Sequence, residues 1–320
     1  MKKLTTLVLF GMVLILLSAC SMTEKNELVI YTSVDQIYSE PIFNLFEKET
    51  GIKVKAVYDV ESQKTTGMAS RLEAEKSKPV ADLFWNGEFT KTIALTEKGV
   101  LSDYIAFGGR ARVLLVNTEK IKPDDYPTTL TDLLSEKYQP SMIAIARPMF
   151  GTTFSQACAL YAQLGDEPGK IFFEQVKNRG IKIVEGNSVV RDMVVSGEVA
   201  MGLTDTDDAY DAINKEKPVA IIFLDQKSDE MGTLIIPNTI AFVSGRPESS
   251  SAKEFMDFIT SDKAAVLLYE SGWIDFVEKP ELIKNQRFDF SKVKGMKISL
   301  EEICEQQDVV VEDLTKLFMD

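Results

Sequence analysis

Strand-length apolar runs alternate with helix-length amphipathic stretches three times in succession from residue 27: "ELVIYTS" then "SEPIFNLFEKETG", "IKVKAVYD" then "KTTGMASRLEAEKSK", and "ADLFWNG" then "EFTKTIALTEKG". Strand followed by helix, repeated, specifies an α/β protein built on a largely parallel sheet. Gly51 and Gly99 stand where the first and third helices must stop, as left-handed C-terminal caps. In such a sheet the loops after the carboxyl ends of the strands face the ligand, so those loops are where functional side chains are sought.

The pattern resumes at "ARVLLVN" and continues through a predicted short helix "LTDLLSEKY", a buried strand "SMIAIARP", helices "TTFSQACALYAQLG" and "KIFFEQVKNRG", strand "IKIVEG", helix "SVVRDMVVSG", and strands "VAMGLTD" and "VAIIFLD". No repeat, low-complexity tract or long linker interrupts it. Two α/β units that share crossing strands fit this better than separate beads. The expected division is 28–109 with 226–270 for one unit, and 110–225 with 271–320 for the other. The tail "SLEEICEQQDVVVEDLTKLF" opens with a serine-capped acidic turn and carries apolar residues at helical spacing, as a helix packed on the outside of a lobe does.

The first nineteen residues are expected to lie outside the fold. Lys2 and Lys3 precede the run "LTTLVLFGMVLILL", and "LSAC" sets small residues before Cys20. That order is a secretory signal, and it resembles a bacterial lipoprotein lipobox with Cys20 as the lipidated residue and 20–27 as a tether. The run is shorter than the roughly 20 residues a spanning helix needs. The chain is therefore expected outside the cytoplasmic membrane, lipid-anchored and monomeric. Its formal net charge of −13 disfavours nucleic acid as a partner. Cys158 and Cys304 are too few for a disulfide framework in 320 residues and read as packing residues.

The chain has no histidine. Serine–histidine and cysteine–histidine nucleophile systems, imidazole metal sites and the commonest general base are thereby removed. No Walker loop, dinucleotide fingerprint or nucleophile elbow is present. No enzyme and no resident cofactor is expected.

What remains is a set of polar groups at strand ends. Ser33 and Asp35 follow the first strand. Asp59, Glu61 and Lys64 follow the second, and Trp85, Asn86 and Glu88 the third. Each residue also suits a helix cap, but recurrence after three strands points to a shared cleft. "PMFGTTF" places Gly151, Thr152 and Thr153 at the start of a long helix, where free amides and the helix dipole favour an anion or where a threonine caps. "EGNSVVRD" repeats the arrangement with Asn187 or Ser188. "GLTDTDDAY" gathers Asp205, Asp207 and Asp208 just before Tyr210. Three carboxylates this close repel one another unless a cation or a helix N-terminus compensates them.

Taken together, "LVIYTSVDQIYSEPIFNLFEKETGIKVKAVYD", "RLEAEKSKPVADLFWNGE", "GRARVLLVNTEKI", "IAIARPMFGTT", "EGNSVVRDMVVSGEVAMGLTDTDDA" and "GTLIIPNTIAFV" resemble the extracellular solute-binding proteins of ABC importers, in their ferric-iron-binding branch. The resemblance spans about residues 28 to 276. It implies a two-lobed periplasmic-binding-protein fold of class II, with the ligand cleft between lobes joined by crossing strands, and an ABC permease as partner. It also implies a metal site with a companion anion on the "FGTT" helix. Asp35 falls where such receptors often carry histidine, Glu88 at or beside their glutamate, and Asp207 and Asp208 in the region of their tyrosine pair. The implied metal set is thus Asp35, Glu88, Asp207 and Asp208. Oxygen ligands of this kind suit Ca²⁺, Mg²⁺, Mn²⁺ or ferric ion. An organic cation or zwitterion, such as a polyamine or a phosphonate, is the alternative solute, with Trp85, Tyr31 or Tyr210 as aromatic faces. A sensory or interaction lipoprotein that retains the fold is the alternative function.

Overall fold

The computed structural model describes residues 27–59 and 66–319. Cys20, Glu61 and Lys64 lie outside the described residues. The first lobe is assembled in chain order from β1 (Glu27–Thr32), α1 (Gln36–Thr50), β2 (Lys53–Tyr58), α2 (Thr66–Ala74), β3 (Leu83–Asn86) and α3 (Thr90–Glu97). β1 lies between β2 and β3, parallel to both. Gly51 takes φ +75° and donates its N–H to Glu47 O, closing α1 as the sequence predicts.

β4 (Leu101–Asn117) is seventeen residues long and joins the halves. Only its second half, "ARVLLVN", reads as a strand from apolar pattern. In the first half, half-exposed and exposed positions alternate from Ser102 to Ala106 between buried Leu101 and Phe107, and the strand then reaches Gly108, at φ +50°, and Gly109, where the register slips. Past this point β4 leaves the first lobe and enters the second.

The second lobe holds β5 (Ile143–Ala146), α4 (Gly151–Leu164), α5 (Asp166–Arg179), β6 (Lys182–Val184), α6 (Asn187–Ser196), β7 (Met201–Asp205), α7 (Thr206–Asn214) and β8 (Val219–Ile222). β5 pairs in parallel with β6 and β7, and β7 pairs antiparallel with β4. β9 (Ile235–Val243) then returns antiparallel to both β4 and β3, giving the order β2-β1-β3-β9-β4-β7-β5-β6, with β8 on β4. β4 and β9 are the crossing strands.

α8 (Ser250–Ile259) and α9 (Asp262–Ser271) follow, each opened by a serine whose hydroxyl accepts the N3 amide. The chain then packs on the first lobe for longer than the expected boundary at 270: Trp273, Ile274 and Ile283 share a core with Leu28, Ile30 and Phe46. The tail forms α10 (Leu300–Cys304) and α11 (Gln307–Phe318), two helices where one was expected, the first opened by a Ser299–Glu302 capping box. "LTDLLSEKY" forms only a 3-10 turn over Leu130–Leu134, opened by a Thr129–Asp132 capping box. Cys158 and Cys304 are free and buried in one apolar cluster, as packing residues are.

Candidate functional site: an inter-lobe cleft

Between the lobes lies a cleft of about 490 Å³. The first lobe contributes Ser33, Asp35, Tyr38, Gly87, Glu88 and Trp273, and the second contributes Gly151, Thr152, Thr153, Asn187, Ser188, Asp205, Asp207 and Asp208. Most of the expected positions therefore come to one place. Their roles there divide sharply.

On the first lobe the side chains serve the fold. Glu88 accepts the amides of Thr90 (2.6 Å) and Lys91 (3.1 Å), the Thr90 hydroxyl (2.6 Å) and Asn86 Nδ2 (3.0 Å). It is an N-terminal cap of α3, with its carboxylate oxygens occupied by protein donors. Ser33 Oγ donates to Asn86 Oδ1 at 2.5 Å and accepts the Gly87 amide at 3.0 Å, pinning the β1 loop to the β3 loop. Trp85 is fully buried, edge-on to Phe43 with centroids 5.7 Å apart, and is a core residue. Tyr31 is buried as well, its hydroxyl donating to Glu75 at 2.9 Å. Asp59 accepts the Met68 amide at 3.0 Å, beneath α2.

On the second lobe the carboxylates answer to arginines that composition alone does not reveal. Arg112 on β4 stands directly across the ladder from Asp205 on β7 and donates to it at 2.7 Å. Thr152 Oγ1 (2.6 Å) and Asn187 Nδ2 (3.1 Å) donate to the other oxygen of Asp205. Arg110, two residues earlier on the same strand face, reaches Asp207 at 3.0 Å and the carbonyl of Gly87 at 2.8 Å. Its guanidinium lies 4.0 Å from the centroid of the Trp273 ring. Arg191, one turn into α6, holds Asp208 and Asp211, each at 3.1 Å.

Burial raises the pKa of Asp205, but Arg112 and Arg110, with the Thr152 hydrogen bond, outweigh it and hold the group below the usual range. Asp208 goes the other way. Burial first, then the charges of Asp207 and Asp205, push it up to about 8 against the pull of Arg191. The Tyr38 phenol is raised by burial and by Asp207, Asp208, Asp211 and Asp35, so negative potential from both lobes converges on that hydroxyl. Among the described residues no group of three or more Asp, Glu or Cys is placed to hold a metal ion. The implied set Asp35, Glu88, Asp207 and Asp208 is not assembled as one, because Glu88 caps α3 while Asp207 turns to Arg110 and Asp208 to Arg191.

The anion half is different. α4 and α6 both point their N-termini into the cleft, neither has a side-chain cap, and neither has an acidic residue in its first turn. Their first-turn side chains are tied together: Asn187 Oδ1 accepts from Arg112 Nη1 (3.0 Å) and Thr153 Oγ1 (3.3 Å). Thr152 and Asn187 are thereby fixed as a platform, with Arg147 at the rim. Gly151 has φ +55° and nothing within 4 Å of where a Cβ would sit, so backbone strain, not crowding, is what excludes a side chain there. Tyr210 lies elsewhere. It stacks on Phe288 with centroids 5.8 Å apart and planes 7° from parallel, behind the cleft.

Arg110, Arg147, Glu185, Arg191, Tyr38 and Trp273 are among the cleft residues that sequence reading passed over, as is Arg112 beside Asp205. Their signal was present in part: "GRARV" sets two arginines at the period of a strand, on one face, and Arg191 follows Asn187 by one helical turn.

The Major ferric iron-binding protein of Neisseria meningitidis is 22% identical over 259 residues, covering 73% of this chain and 76% of that one. Iron-bound HitA from Pseudomonas aeruginosa superposes with a TM-score of 0.80 at 20% identity, over 90% of this chain and 99% of its own. AfuA from Actinobacillus pleuropneumoniae, solved with exogenous fructose-6-phosphate bound, gives 0.77 at 19%, over 91% and 98%. These likenesses establish the two-lobed fold. The family model described as "Bacterial extracellular solute-binding protein" matches residues 28–274, and the chain belongs to that family.

Proposed function

We propose that this chain is the receptor of an ABC importer and that its solute carries an anionic group and a cationic centre. The observation that supports this is the segregation of charge in the cleft. Two uncapped helix N-termini gather at one end, where Arg147 pairs with Glu185 and the Asp205 carboxylate is held by Arg112, Thr152 and Asn187. At the other, Asp35, Asp207, Asp208, Asp211 and the Tyr38 hydroxyl outnumber the two arginines, Arg110 and Arg191, that face them. Free amides at a helix start favour an anion. A carboxylate that burial first, and the Asp207 and Asp205 charges second, lift to about 8 gains from a cation that displaces the proton. A single small zwitterion satisfies both ends, with the Tyr38–Trp273 pair, 5.1 Å between centroids, as an apolar wall.

A second reading, a ferric ion carried with a companion anion, is favoured by the names of the relatives and keeps the same anion platform. Native mass spectrometry on protein purified without added metal identifies the retained solute. Calorimetry with ferric salt, with and without inorganic phosphate, then decides. Iron binding that requires phosphate selects the second reading, and an organic adduct with no response to iron selects the first. Loss of neither platform nor binding in a Thr152→Val, Asn187→Leu variant would overturn both.

Delivery to a membrane permease, cleavage after Ala19 and lipid on Cys20 belong to the same proposal. Intact mass of the wild type against Cys20→Ser tests the anchor, and an unmodified Cys20 removes it. No helix among the described residues is long and apolar enough to cross a membrane.

A further inference from the structure

We propose that α10 and α11 form a brace across the back of the hinge that holds the cleft open, so that the balance between open and closed lobes is set on the face opposite the solute. α10 packs against α3 of the first lobe and α4 of the second, while α11 lies on α5 and α4. Ile303 and Cys304 share one apolar cluster with Ile93 of α3 and Phe154 of α4. α11 is fastened to the second lobe through Asp313, which meets Lys170 at 3.2 Å and the Tyr161 hydroxyl at 3.3 Å. The polar ties of the two helices to the first lobe are few, one from each. Gln307 Nε2 donates to the carbonyl of Thr90 at 3.2 Å, and the Tyr104 hydroxyl of β4 donates to Glu301 at 3.0 Å. Between α11 and the pair α2–α3 lies an open groove of about 460 Å³, lined by Ser70, Glu73, Ala94, Lys98, Asp308 and Val311.

The lever follows from where the lobes touch. Ser155 Oγ of α4 donates to Glu88 at 3.3 Å, and Lys91 Nζ lies 5.0 Å from the Phe154 ring centroid. These contacts stand between the cleft, which Glu88, Thr152 and Thr153 line, and the groove, which Lys91 and Ala94 line. A rotation about that line that narrows the cleft must widen the groove. It draws Gln307 from Thr90 and Glu301 from Tyr104, while the apolar contacts of α10, being non-directional, slide. The two polar ties therefore oppose closure, and a groove held wide favours it.

Double electron–electron resonance on the full chain reads this without a solute, and so independently of the proposed ligand. Spin labels go on Ile37→Cys and Val189→Cys, which are 74% and 41% exposed on opposite rims of the cleft. Cys158 and Cys304 are buried, with thiols raised by burial, and stay unlabelled, and Cys20 is replaced by serine in every labelled chain. Val311→Trp, at a position 42% exposed, fills the groove, and Tyr104→Phe with Gln307→Ala removes the ties. Both changes are expected to raise the short-distance population by about three- to tenfold. A melting curve confirms that each variant is folded, and if Val311→Trp does not fold the tie variant decides alone. Unchanged or longer distances in the folded variants overturn the brace.

Discussion

The two walls of the cleft use similar residues for different ends. On the first lobe Ser33, Asn86 and Glu88 close on each other and on the start of α3, satisfying backbone amides and hydroxyls within a strand-to-helix turn. On the second lobe Asp205, Asp207 and Asp208 close on Arg112, Arg110 and Arg191, which arrive from other elements. A carboxylate that finds its partners locally is a cap, whatever cleft it borders. One whose partner comes from a distant strand or helix is part of an electrostatic network that a charged solute can perturb.

The sharpest break of this contrast is Arg112→Met. It leaves Asp205 buried opposite an apolar side chain, and removing one member of a buried pair costs about 3–5 kcal/mol. Urea denaturation should show that loss, and a loss under about 1 kcal/mol would mean Asp205 draws its compensation from Thr152 and Asn187 alone.

Glu88→Ala should destabilise by about 1–2 kcal/mol through loss of the α3 cap, with solute affinity changed little. A stable variant that no longer binds the solute would return Glu88 to the ligand set.

Asp208→Asn should act in the opposite sense, gaining about 1 kcal/mol at pH 7.5. The folded pKa of Asp208, about 8, lies above its unfolded value, so this group's contribution is fully present below about pH 4 and is lost as pH rises toward 8. Asp225 and Asp275, both raised to about 6 chiefly by burial, add to the same trend, while Asp205 loses its contribution only at acid pH. Thermal melts between pH 5 and 8 should fall less steeply in the variant; identical slopes would show that Arg191 neutralises Asp208 fully.

The smallest effect is expected from Tyr210→Phe. The phenol ring stacks on Phe288 outside the cleft, so calorimetry with the identified solute should show affinity within about twofold of wild type. A tenfold loss would place the Phe288 side of α7 in the binding path.

Much of the chain was legible before any coordinates. Strand–helix alternation, the glycine stops at 51 and 99, and the start of α4 at "GTT" depend on neighbours within a few residues, where pattern and backbone preference suffice. The first half of β4 was not legible, because a strand that passes from one lobe to the other carries half-exposed positions and two glycines that weaken its pattern. Of the loops after β1, β2 and β3 that the sequence pointed to, those after β1 and β3 reach the cleft together with the loops after β5, β6 and β7, while Asp59 after β2 turns under α2 instead.

What the sequence by itself determined is therefore the class of fold, the presence of two lobes and the edge on which the cleft between them opens. Only the tertiary structure decided the charge of that site. The run "TDTDD" looks uncompensated because Arg110 and Arg112 stand nearly a hundred residues earlier, and they reach it only through the antiparallel pairing of β4 with β7. The sum of charges along a chain fixes neither which pairs form nor what they leave over. Those depend on distances of a few ångströms and on how much water is excluded between them.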